Sequence, residues 1–195
     1  MNAEARRIAN EWDAAKDEAA GNQCRAYGAV GVMQRPGRLR VNWASDTVLQ
    51  LDADAGTQTR LFRFGPALAQ RGEPSWQGYS AAEWQIPRGA LLDLGGVGVV
   101  AGNGAQRPQN RGGTLKVTTS NMRPGYLRKN GVPYSATAVL TEYFNRLTGS
   151  DGQVYLTVTA MLDDPVYLTQ PFVRTYQFKK EAAGAGWDPT PCWTR

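Results

Sequence analysis

The chain has 195 residues, 42% hydrophobic and 20% charged, as expected of one globular domain able to bury a core. Its formal charge of +5 comes from 22 cations scattered among 17 acids with no basic run, so no nucleic-acid partner is expected. No stretch reaches the about 18 apolar residues of a spanning helix, and no histidine is present, which excludes Ser-His-Asp and Cys-His catalysis and the usual zinc ligands.

Residues 3–20, AEARRIANEWDAAKDEAA, are good helix formers free of Gly and Pro. They predict one N-terminal helix with Ala3, Ile8, Trp12 and Ala15 on a weak apolar stripe, capped by Gly21. This segment lacks the apolar centre of a signal peptide, which leaves a cytoplasmic protein or one whose leader has been removed. Cys24 and Cys192, with no metal-ligand spacing around them, read as a staple between neighbouring chain ends; two buried thiols are the alternative. A staple of that kind persists in the periplasm or outside the cell, and the reading adopted is an exported protein.

From Arg38 onward the hydrophobic period becomes two. RLRVNW, VLQLDAD, TQTRLFRFG, GYSAAEWQ, TLKVTTSNM, ATAVLTEYFNRL, QVYLTVTAMLD and PFVRTYQFKK each read as a strand rich in β-branched and aromatic residues. With one helix and no strand–helix alternation, they predict a mainly β domain over residues 1–195: an antiparallel, lipocalin-like barrel or a sandwich. Residues 86–113 are a glycine-rich insertion. Gly96, Gly98 and Ala101 fit GxGxxA there, but the strand–helix context of a dinucleotide site is missing, so no cofactor is expected.

RPGYLRKNGVPYS, residues 123–135, carries Arg123, Tyr126, Arg128, Lys129 and Tyr134 between two strands. Asn130-Gly131 predicts a type I′ turn, and Pro124 and Pro133 oppose regular pairing. The segment is read as a connection whose cations and tyrosines also rim a ligand site.

Two facings are open for VLTEYFNR. Placing Leu140, Glu142 and Phe144 inward buries a carboxylate, which Arg174 of PFVRTYQF would then have to pair. Placing Val139, Thr141 and Tyr143 inward leaves Glu142 in water, and this facing is favoured. Glu83 beside Trp84 is a second carboxylate of the same kind, and Arg60 beside Phe62 and Phe64 is a cation of that class. Asp163 and Asp164 point to opposite faces of a strand, so they do not share a metal; one caps a bend and the other meets solvent.

Together the segments AGTQTRLFRFG, SWQGYSAAEW, LKVTTSNMRPGYLRKNGVPYS, LTEYF, LTVTAMLDDPVYLTQPFV and FKKE with a late PC resemble a large family of uncharacterised exported proteins of proteobacteria and acidobacteria. The resemblance implies an exported β-rich domain and carries no catalytic residue. Those relatives usually hold several histidines, from which this chain departs.

The expected function is binding of a small apolar or aromatic molecule in the barrel, with Arg123, Tyr126, Arg128, Tyr134, Tyr143, Tyr167 and Trp84 as ligand residues. The alternative is an enzyme of the isomerase, lyase or cyclase sort without metal or cofactor. Its base or acid would be Glu142, Glu83 or Asp163, with Arg174, Tyr143 or Tyr167 supporting it. A third reading is an envelope interaction module, with a homodimer as one form it would take.

Overall fold

A computed structural model describes residues 1–35, 37–66, 72–85 and 113–194. The N-terminal segment forms two helices, α1 (Ala3–Asn10) and α2 (Ala14–Ala19), in place of the single predicted one. The break is built locally. The Asp13 carboxylate accepts the Ala15 amide at 2.9 Å and starts α2, while the Trp12 indole donates to Asp17 Oδ2 at 2.7 Å. The buried face of α1 is centred on Ala5, with Ala9 packed on the core and Ala3 exposed, so the predicted stripe is displaced. Gly21, at φ +69°, follows the end of α2 as expected of a glycine beyond a helix terminus.

All eight predicted strands are present: β1 (Leu39–Ser45), β2 (Val48–Ala53), β3 (Gln58–Phe64), β4 (Tyr79–Gln85), β5 (Thr114–Ser120), β8 (Val139–Thr148), β9 (Val154–Asp163) and β10 (Phe172–Lys179). Two short strands, β6 (Gly125–Tyr126) and β7 (Pro133–Tyr134), lie between β5 and β8 and pair with each other. The eight form one sheet in the order β1-β2-β3-β4-β5-β8-β9-β10, curled into a half-barrel. It is a mixed sheet, because β4 runs parallel to β3 while every other pairing is antiparallel. The glycine-rich insertion, with its GxGxxA residues, lies outside the described residues except for Gly113.

Register across the sheet sorts the concave face into rows. Leu140, Leu162 and Phe172 form one, Glu142, Ala160 and Arg174 the next, then Phe144, Val158 and Tyr176, then Arg146, Leu156 and Phe178. The favoured facing of β8 is therefore reversed: Leu140, Glu142 and Phe144 turn inward and are buried. Val32 and Met33, in a 3₁₀ turn at Val32–Gln34, enter the concave face and pack with Leu51, Phe62, Phe144 and Val158. Each such side chain, once buried, contributes about 1.5–3 kcal/mol.

The open side of the half-barrel lies between its edge strands, β1 and β10. The chain after β10 turns back toward β1, where Glu181 meets Arg38 at 3.3 Å and Trp187 lies under the Arg40 guanidinium at 3.9 Å. It then reaches the β2–β3 turn, where the Thr190 amide donates to Asp54 O at 3.0 Å. The Cys24–Cys192 disulfide, 168 residues apart in sequence, fastens it to the N-terminal segment as predicted.

Candidate functional site

One end of the concave face is filled and the other is open. At the filled end Tyr134, Leu127, Met122 and Leu162 pack with Ala29 and Val30 of the N-terminal segment. At the open end a cavity of about 1090 Å³ lies between the edge strands. That is at or just above the size of most small-molecule sites, about 300–1,000 Å³. Its floor is apolar: Leu49 and Leu51 of β2, Phe62 of β3, Leu115 of β5 and Phe144 of β8. Strand alternation produces this floor, since each residue follows its inward neighbour by two positions. Trp43 and Trp84 stand at its edge with about half their surfaces uncovered, 53% and 51%. Phe64 lies between them, 5.4 Å from Trp43 and 5.9 Å from Trp84, the latter pair stacked. The three rings make a shelf on which a flat or apolar molecule can rest.

One row inward lies a buried ion pair. Arg60 is 1% exposed and Glu142 0%. Arg60 donates through both terminal nitrogens to the two oxygens of Glu142, at 2.9 and 2.5 Å, and to Thr119 Oγ1 at 3.2 Å. Ser80 and Thr119 hydroxyls are 2.7 Å apart and complete the network. The expected partner, Arg174, does share a row with Glu142, but it is exposed and lies over Phe172. Arg60 takes the carboxylate because the curl of the sheet carries β3 over β8 across the interior. Neither Arg60 nor Glu142 lines the cavity.

Comparison with protein families, curated proteins and solved structures finds no match. The assignment of a site rests on geometry. Of the seven residues expected to hold ligand, Trp84 alone lines the large cavity. Tyr134 belongs to the filled end, Tyr126 to a separate cluster with Ala26 and Tyr27, and Arg123 is exposed. Tyr126 packs edge-on to Trp12 at 6.4 Å, under the Arg25 guanidinium at 4.5 Å, and Arg123 lies over Trp76 at 4.8 Å. Tyr134 is fully buried, and a Cβ on Gly28 would sit 2.9 Å from its hydroxyl. Arg128 is exposed, and Tyr167 joins the structure through its carbonyl, which accepts the Asn2 amide at 2.9 Å. Tyr143 is on the outer face of β8, opposite Lys116. Residues 123–135 thus form a structural cover, not a rim of this cavity. Pro133 takes a bridge position opposite Tyr126, where a missing amide is tolerated, and Leu127 donates to Val132 O at 2.7 Å. Gly131 has φ +73° but Asn130 does not have positive φ, so the turn is not type I′.

The carboxylates named for acid–base work are placed against that role. Both oxygens of Glu142 face Arg60, and Glu83 is exposed with Lys116 Nζ at 2.9 Å. Asp163 is exposed at the end of β9, while Asp164 is buried and caps the bend, accepting the Ser135 amide and hydroxyl at 2.7 Å each. Among the described residues no three Cys, Asp or Glu side chains are grouped to hold a metal, and no helix is long and apolar enough to cross a membrane.

Three tyrosines, Tyr126, Tyr134 and Tyr176, have raised phenol pKa values. Burial pushes Tyr126 up to about 12, aided by its hydrogen bond to Asp17, and burial also pushes Tyr134 upward. Tyr176 rises to about 12 through burial, against the pull of Arg174. An unfolded phenol titrates near about 10. The folded state thus keeps these groups neutral, and their stabilisation is full below that value and is lost as pH rises through the folded ones. The urea midpoint of the oxidised protein is expected to fall steadily from about pH 10 upward. A midpoint unchanged through pH 11 would contradict this burial of the phenols.

Proposed function

We propose that the protein binds a small apolar or aromatic molecule in the open end of the half-barrel. The single observation that carries this reading is the 1090 Å³ cavity floored by buried Leu and Phe and edged by half-exposed Trp43 and Trp84. Leaving such an apolar surface in water is costly, at roughly 25 cal/mol per Å², and a ligand that covers it recovers that energy. The aromatic shelf supports a flat ring system or an acyl chain lying along it. The disulfide supports an exported protein, working in the periplasm or outside the cell, because such bonds persist in oxidising compartments.

The neutral fluorophore N-phenyl-1-naphthylamine tests the reading, since its emission rises on entering an apolar site. Saturable binding at one site is expected. Trp84→Ala, at an exposed position, is expected to weaken it about tenfold while leaving the melting temperature nearly unchanged. No saturable rise with the oxidised protein would sink the proposal.

A further inference from the structure

The mouth of the cavity carries charge of nearly one sign. Arg38, Arg40, Arg146, Lys179 and Lys180 line it, against the single acid Glu181. Glu181 is already held by Arg38 at 3.3 Å, and Arg40 is stacked on Trp187. Arg146 differs from these two. Register puts it on the concave face, two residues beyond the floor residue Phe144 and in one row with Leu156 and Phe178. It has no ion-pair or hydrogen-bond partner among the described residues, although its neighbours along that face are apolar. Lys180, the first residue past the end of β10 and two beyond Phe178, also lines the cavity, and its backbone amide donates to Val154 O at 2.8 Å.

An apolar floor leading to an unpaired guanidinium matches a molecule with the complementary division. We infer that the ligand is an amphipathic anion. Its apolar body lies on Leu51, Phe62 and Phe144, and its carboxylate or equivalent oxyanion meets Arg146 and Lys180 at the mouth. A planar guanidinium offers two parallel donors to a carboxylate, which fixes the head while the body is held by area alone. This inference rests on the binding reading above and adds the chemical class of the ligand.

Displacement of N-phenyl-1-naphthylamine by dodecanoate and by dodecan-1-ol, each kept below its aggregation limit, separates the two. The acid and the alcohol share a chain and differ in the charge of the head. Dodecanoate is expected to displace the probe at about tenfold lower concentration than the alcohol. That preference is expected to shrink to about threefold or less in Arg146→Gln, and to shrink with added salt in the unaltered protein. Arg146 is exposed, so a melting curve matching the parent protein checks that the variant is folded. If acid and alcohol displace the probe equally, or Arg146→Gln and Lys180→Gln both retain the full preference, the anionic head is wrong although the cavity stands. If the probe itself does not bind, the cavity reading fails and takes this inference with it.

Discussion

Arg60→Ala is expected to cost about 3–5 kcal/mol of folding stability, read as a lower urea midpoint for the oxidised protein, because it leaves a carboxylate buried without its cation. The residue left behind is Glu142, which has no exposure at all and loses both of its guanidinium donors. Thr119 loses its contact as well, leaving its hydroxyl with Ser80 alone. Glu142→Gln strands the opposite charge and is expected to be comparably harmful. The double variant Arg60→Met/Glu142→Leu distinguishes pairing from packing. Two apolar side chains of similar size remove the need for compensation, and stability is expected to return to the parent value or above it. If Arg60→Ala cost less than about 1 kcal/mol, the pair would be reached by water and the concave face would not be closed at this row.

Loss of the Cys24–Cys192 bond has an effect of similar size through a different state of the chain. The bond spans 168 residues, nearly the entire polypeptide, so it restricts the unfolded ensemble strongly. Loop-closure entropy for that span gives about 5 kcal/mol for Cys24→Ala/Cys192→Ala, as an upper value. A local consequence follows. Thr190, Trp193 and the turn at Asp54–Thr57 hold the C-terminal segment by single hydrogen bonds of 3.0–3.3 Å, alongside the exposed Arg38–Glu181 pair. Exposed pairs of that kind contribute about 0–1 kcal/mol. Reduction is therefore expected to lower the unfolding midpoint and speed hydrogen exchange at residues 188–194 first. Equal midpoints for oxidised and reduced protein would show that the ends are held by packing rather than by the bond.

The strands were legible because each keeps one face apolar, a signal that depends only on neighbours two positions apart. The pairing of chain ends was legible from where the two cysteines fall. The Asp163–Asp164 bend was also readable, since adjacent strand residues point apart; Asp164 caps and Asp163 meets solvent. The facing of β8 was not. Glu142 argued for water as long as its partner was unknown, and that partner lies 82 residues away on a strand brought close only by the curl. The parallel step between β3 and β4 is likewise a matter of chain path, with no mark in either strand. Residues 123–135 misled because cations and tyrosines in a loop resemble a binding rim. Here they cover the core, with the Tyr134 ring wedged against Gly28 and Gly125. A signal that could have found the cavity is the alternation of Leu39, Val41 and Trp43 in RLRVNW. On an edge strand that pattern leaves Val41 and Trp43 about half exposed, with no described element to bury them.

On the proposed function this apolar space receives a ligand. A crystal structure of the oxidised protein grown with N-phenyl-1-naphthylamine tests it most directly. The probe is expected between β1 and β10, its rings against Trp43, Phe62 and Trp84. Trp43, Trp84 and Phe178 folded inward to close that space, with no probe there, would contradict it.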